Sequence, residues 1–197
     1  MLSAIVLAAG LSKRMGADNK LLLAYRQTTV LAATIANIIA AGITDVIVVT
    51  GHQASAVSES IAGLPVKIIH NTLFQKGMTT SIQAGIQHTA GQGYMICLGD
   101  MLTIEPGEYA LLAKAFTAQI MANPNCICLP RYQGEKGNPV IFSTVYKKDI
   151  LEHKDMEGCK AIVQNNRQHI TWVDMPTNHI LQDMDYPYDY EQLVSPV

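Results

Sequence analysis

One arginine and one lysine, Arg14 and Lys20, stand in a stretch that carries Gly10 and Gly16 and follows the apolar run Ala4-Ile5-Val6-Leu7-Ala8-Ala9. Glycine permits positive φ and close backbone approach, so successive N–H groups can line a concavity, and the two cations add fixed positive charge to it. The chemistry on offer is anion binding. A second device is Gly99-Asp100, after the apolar run Tyr94-Met95-Ile96-Cys97-Leu98. A carboxylate at a strand tip points into the same crevice as the basic loop. It is a hard oxygen donor of the kind that holds Mg²⁺, which takes one or two carboxylates together with phosphate oxygens. Its plain alternative is an Asp capping the following turn.

The spacings exclude better-known sites. A Walker A loop has four residues between its glycines and then Lys-Ser/Thr, whereas five residues separate Gly10 from Gly16 and Ala17 follows. The dinucleotide fingerprint G-x-G-x-x-G is missing, which argues against a nicotinamide-dependent oxidoreductase. The six histidines form no metal spacing such as H-E-x-x-H. Cys97, Cys126, Cys128 and Cys159 are too scattered for a disulfide framework, and Cys126 and Cys128 read as core residues on one face of a strand.

These groups need a scaffold, and the apolar pattern supplies one. Thr28 or Thr29 caps a helix carrying Val30, Leu31, Ile35, Ile38 and Ile39, which ends at Gly42. Asp45-Val46-Ile47-Val48-Val49-Thr50 is a buried strand turned by Gly51-His52-Gln53. A short helix over 54–62 and a strand over 66–70 follow. Met78-Thr79-Thr80-Ser81 opens another helix after Gly77, and helix N-termini suit a phosphate or sugar. Pro106 starts a long amphipathic helix, followed by a strand over 126–129. Strand-helix-strand units pair in parallel through right-handed crossovers, so the fold class is α/β: a three-layer, Rossmann-like, mostly parallel sheet with helices on both faces. Ligands of such sheets gather beyond the strands' carboxyl ends.

The 197 residues suit one domain over 1–197. Hydrophobic residues make up 49% and charged ones 15%, which describes a globular chain and not a disordered one. A net charge of -2 gives no reason to expect a nucleic-acid partner. No stretch has the length of uncharged apolar residues that a membrane span requires, and the first apolar run lacks a basic leader, so a cytoplasmic setting is expected. Beyond Arg167 there is no Lys or Arg, while Asp174, Asp183, Asp185, Asp189 and Glu191 accumulate.

Leu7-Ala8-Ala9-Gly10, Ser12, Arg14-Met15-Gly16 and Lys20 resemble the opening L-A-A-G-x-S-x-R-M-G-x-x-x-K of nucleotidyltransferases related to the molybdenum cofactor cytidylyl- and guanylyltransferases. Three further stretches are similar to that family. Gly77-Met78 with Ser81 matches G-M-x-x-S, Gly134 to Phe142 matches G-x-x-G-H/N-P-V-x-F, and Asp183-Met184-Asp185-Tyr186-Pro187-Tyr188-Asp189-Tyr190 matches D-I-D-T-P-E-D-Y/L. The resemblance implies nucleotide binding by Leu7, Ala8, Ala9, Gly10, Ser12, Arg14, Lys20, Gly77 and Ser81. It implies acceptor contacts at Lys136 and Asn138, and a second carboxylate, Asp183 or Asp185, sharing Mg²⁺ with Asp100.

The reaction implied is attack by an acceptor phosphate on the α-phosphorus of a nucleoside triphosphate, with pyrophosphate leaving and Arg14, Lys20 and Asp100 as catalytic groups. Ala9 gives the form seen in the cytidylyltransferase branch, so CTP is favoured over GTP and molybdopterin is the expected acceptor. A molybdoenzyme or its chaperone is the implied protein partner. The same opening occurs in sugar-phosphate and methylerythritol-phosphate nucleotidyltransferases. Two departures point another way, toward a non-catalytic carrier of nucleotide or cofactor: Met101-Leu102 where the family has x-Pro, and Met156 where it has Asp, unless Asp155 or Glu157 substitutes.

Overall fold

The computed structural model describes residues 1–16 and 18–194; Ala17 and residues 195–197, which the one-domain reading includes, lie outside the described residues. The chain opens with β1 (Leu2–Ala8) and two 3₁₀ turns, Lys13–Met15 and Lys20–Leu22. A small hairpin, β2 (Ala24–Tyr25) and β3 (Thr28–Thr29), leads into α1 (Val30–Ala40). Then come β4 (Asp45–Thr50), α2 (Ala54–Ser60), β5 (Lys67–His70), α3 (Met78–Ile86), β6 (Gly93–Leu98) and α4 (Pro106–Gln119). The last part comprises β7 (Ile127–Tyr132), β8 (Glu135–Lys136), β9 (Val140–Ser143), α5 (Lys147–Glu152), α6 (Lys160–Asn165), β10 (Ile170–Asp174) and α7 (Pro187–Val194).

Local chemistry explains the boundaries. Thr29 Oγ1 accepts from the Ala32 N–H at 3.3 Å and so caps α1, and Gly42, with φ of 86°, turns the chain out of it. At α4, Pro106 occupies the first turn, and Glu105 and Glu108 form a reciprocal capping box.

The main sheet runs β10-β7-β9-β6-β1-β4-β5, with β8 hydrogen-bonded to β7. Strands β1, β4, β5 and β6 are mutually parallel, as crossover helices require. Strand β9 is antiparallel to both β6 and β7, as β8 is to β7. It follows β7 through the short β8 hairpin with no crossover helix, so it must reverse direction.

Side chains alternate strictly across β1. Ala4, Val6 and Ala8 join Val46, Val48, Met95 and Cys97 on the face covered by α1, α2 and α4. Ile5 joins Ile47, Val49, Tyr94 and Ile96 on the opposite face, which α3, α5 and α6 cover. The buried thiols of Cys126 and Cys128 share the first of these cores, 3.5 Å apart. A third, smaller cluster of Val30, Leu102 and Met184 lies under α7. Among the described residues, no helix is long and apolar enough to cross a membrane.

Candidate active site

The parallel strands run in the spatial order β5-β4-β1-β6, that is third, second, first, fourth in the chain, so the winding reverses between β1 and β6. Loops leaving adjacent strands at such a point diverge to opposite faces and open a crevice. Here that crevice is a cleft of about 590 Å³. The loop after β1 lines it through Ala9, Gly10, Ser12, Arg14 and Lys20, and β1 itself through Leu7. Asp100, just past the end of β6, lines it too, as do Gly77, just before α3, and Ser81 within that helix. The C-terminal segment adds Asp183 and Asp185.

Of the residues expected to contact a nucleotide, Ala8 does not line the cleft; its side chain is buried in the core, and its register partner is Thr50 of β4. Lys136 and Asn138 are also outside the cleft lining. Lys136 pairs with Arg131 in the β8 hairpin, and the Asn138 N–H donates to the Ile180 carbonyl at 3.0 Å. The loop's left-handed residues are Ser12, with φ of 48°, and Gly16, with φ of 75°, and not Gly10.

The cations and carboxylates meet directly. Lys20 Nζ pairs with Asp100 and lies 3.0 Å from Asp185 Oδ1, and Arg14 pairs with the other oxygen of Asp185. Burial favours the neutral amine at Lys20, but the two carboxylates outweigh it and hold its pKa above 10.5, so the side chain is an ammonium. Asp183 behaves oppositely. Burial, and then repulsion from Asp185 and Asp100, raise its carboxyl above the ordinary 3.8. Arg14 also lies over the ring of Tyr186 at 5.8 Å.

The start of α3 is less open than its sequence suggests. The Met78 N–H donates to the Met156 carbonyl at 3.0 Å, and Thr79 Oγ1 donates to the Asp155 carbonyl while accepting from the Gly158 N–H. The 155–158 loop therefore sits on the helix end, and a Cβ at Gly77 would come 2.7 Å from the Met156 carbonyl oxygen. Neither of the two carboxylates beside Met156 reaches the cleft. Asp155 faces His153 at 3.4 Å, Glu157 faces Lys160 at 3.3 Å, and neither lines the cleft.

Several residues that position the site carry no motif. Met184 is fully buried against Leu102 and Val30, while the Asp183 and Asp185 that flank it line the cleft. Leu102, the residue standing where the family pattern has Pro, thus fills the seat of Met184. Glu108 of α4 accepts from Thr177 Oγ1 at 2.7 Å and lies 2.8 Å from His179 Nδ1, tethering the segment that leads to Asp183. The signal for these residues in sequence was a lone buried methionine between two acids and a charged residue in a helix's first turn.

A model of the MobA-like NTP transferase domain matches residues 4–171. The chain belongs to that family. Its fold is shared by solved nucleotidyltransferases. Rv0371c from Mycobacterium tuberculosis superposes with a TM-score of 0.84 at 27% identity, covering 98% of this chain and 97% of that one. The same protein has been solved in complex with manganese, with a TM-score of 0.75 at 26% identity over 98% of this chain and 97% of that one. The molybdenum cofactor cytidylyltransferase of Escherichia coli is 27% identical over 187 residues, 94% of this chain and 92% of that protein. The probable molybdenum cofactor guanylyltransferase of Methanosarcina mazei is 25% identical over 155 residues, 76% of this chain and 65% of that protein.

In this MobA-like domain, the acidic side of the cleft fits a divalent cation. Two cations, Lys20 and Arg14, face three carboxylates, Asp100, Asp183 and Asp185, and Lys20 Nζ is shared by two of them. Among the described residues there is no cage of three or more His, Cys, Asp or Glu side chains. A divalent ion at these carboxylates would need further oxygen ligands from water and a bound phosphate, as Mg²⁺ ordinarily takes.

Proposed function

We propose that this nucleotidyltransferase joins CMP from CTP to a phosphorylated acceptor, molybdopterin, and releases pyrophosphate. The observation that carries the reading is the junction at Lys20, where the glycine loop of the first strand meets Asp100 from the fourth parallel strand and Asp185 from the far end of the chain. The identity to the Escherichia coli cytidylyltransferase and the Ala9 form of the loop favour CTP and molybdopterin. The Methanosarcina mazei relative keeps GTP as the second candidate base.

Phosphoryl-type transfers ask little covalent chemistry of a protein, so positioning and charge neutralisation supply the rate. Lys20 and Arg14 present permanent positive charge to the triphosphate, and main-chain groups at Gly10 and Ser12 line its path. Asp100 with Asp183 or Asp185 would hold Mg²⁺. That ion would supply positive charge to offset the charge of the leaving pyrophosphate. That Rv0371c has been solved in complex with manganese supports the reading that a divalent ion binds. The nucleophile is the acceptor's own phosphate oxygen, and the protein contributes none. A molybdoenzyme or its chaperone as recipient of the product, and a cytoplasmic setting, belong to the same reading; all four cysteines are free and buried.

The test is pyrophosphate release with each of the four triphosphates, Mg²⁺ and a panel of acceptors that includes molybdopterin, sugar phosphates and methylerythritol phosphate. Release with CTP and molybdopterin alone is the expected result. Turnover with another acceptor would replace the substrate assignment, and nucleotide binding with no release would mark a carrier.

A further inference from the structure

The cations at one part of the cleft account for the polyanion of a nucleotide, but the lining also has apolar side chains, Leu7, Ala9, Leu11, Phe74, Met78 and Leu98, beside the polar Gln75 and Ser81. Phe74 is the sole aromatic ring that lines the cleft among the described residues. It lies in the 3₁₀ turn Phe74–Lys76 between β5 and α3. Its position is tightly determined. Gly51, at the tip of β4, is buried beneath it, and a Cβ there would come within 2.6 Å of Phe74 Cβ, 2.7 Å of Phe74 Cγ and 2.8 Å of Ala9 Cβ. The His52 N–H donates to the Ala9 carbonyl at 3.3 Å, tying the tips of β1 and β4 together under the ring. The imidazole of His52 flanks Phe74, with ring centroids 6.4 Å apart and planes tilted by 42°. A half-buried phenyl is thus braced from behind and left open toward the cleft.

We infer that Phe74 is the surface on which the nucleobase stacks, and that Gly51 exists to seat it. The inference rests on the nucleotide-binding reading and adds a subsite to it. Stacking on an aromatic face tolerates every base, because each has a π-face. Phe74 therefore supplies affinity for the base without choosing between CTP and GTP, and it has no bearing on the triphosphate.

The contrast between a nucleotide and inorganic tripolyphosphate isolates this role. By calorimetry, Phe74→Ala raises the Kd for both CTP and GTP about ten-fold and leaves tripolyphosphate within about two-fold of the parent. The unchanged tripolyphosphate value certifies that the variant is folded. In a Trp172→Phe background, which removes the chain's one native tryptophan, Phe74→Trp gives emission that CTP and GTP quench and tripolyphosphate does not. Gly51→Ala, which displaces the ring, reproduces the Phe74→Ala pattern. If the parent binds CTP and Phe74→Ala binds it equally well, or loses both ligands together, the stacking role is wrong while the nucleotide reading stands. If the parent binds tripolyphosphate but gains nothing from the base, both are wrong.

Discussion

At the scale of single residues, the site is a contest among charges. Lys20 has two carboxylate partners, and burial, with repulsion from Asp185 and Asp100, outweighs the help that Lys20 gives Asp183. If Asp100 helps hold Mg²⁺, Asp100→Ala abolishes pyrophosphate release while the variant still unfolds cooperatively; an active Asp100→Ala enzyme would remove that metal seat. Lys20→Ala lowers kcat by about 10²–10³-fold, the size of effect seen when one preorganised donor to a developing charge is removed. The sign of the Asp183 effect follows from its raised pKa. A carboxyl that binds its proton more tightly folded than unfolded destabilises the fold once pH exceeds its ordinary value of 3.8 and it begins to ionise. Asp183→Asn therefore raises Tm at pH 7 in metal-free buffer and leaves Tm unchanged at pH 3, where both states hold the proton. A lowered Tm at pH 7 would show that the carboxylate is compensated after all.

At the scale of elements, two acidic residues are aimed by the apolar residue between them. Met184→Ala removes a fully buried side chain and costs about 2–4 kcal/mol of stability, by the usual measure of a core truncation. It also lowers kcat about ten-fold or more, since misplacement of catalytic groups by an ångström has effects of that order. Leu102→Ala shares the seat, so the double variant falls short of the sum of the singles; strict additivity in denaturation would separate the two residues. This explains how much of the molecule was legible in sequence. Helix α1, strand β4 and the start of α4 were readable, because Thr29, the run over 45–50 and Pro106 act locally. The convergence of the Lys20 and Asp185 side chains was legible only through motif resemblance, since 165 residues separate them. The seat of Met184, the tether from Glu108 and the 155–158 loop over α3 were not readable, because each is a contact between segments that carry no periodic signal. The reversal of β9 was missed for a similar reason: its direction depends on the absence of a crossover helix.

At the scale of the whole molecule, the end of the sheet away from the cleft has a polar clamp of its own. The buried carboxylate of Asp45 accepts from Ser3, from Lys67 at 2.8 Å and from the Ala90 N–H, linking β1, β4, β5 and the loop before β6. Burial alone would raise the Asp45 pKa, but the bonds from Lys67 and Ser3 hold it below 3.8. A depressed carboxyl stabilises the fold above its unfolded pKa, and that contribution disappears as pH falls through the folded value. Asp45→Asn is thus expected to cost about 1–3 kcal/mol at pH 7, the price of disrupting a buried hydrogen-bonded acceptor. The gap to the parent closes below pH 3.8, as followed by urea unfolding across pH. Turnover per folded molecule stays at the parent value, because this clamp and the cleft occupy opposite ends of the strands.

Synthesis is vectorial, and amino-terminal portions of a protein fold while later ones are still being made. Strands β1, β4, β5 and β6 all precede residue 99, so the parallel half of the sheet can assemble early in translation. The basic loop would then stand beside Asp100 with Arg14 unpartnered by position 185. Asp185, the acidic counterweight to both cations, is made some 85 residues after Asp100, so the cleft's charge balance is the last part of the site to be assembled.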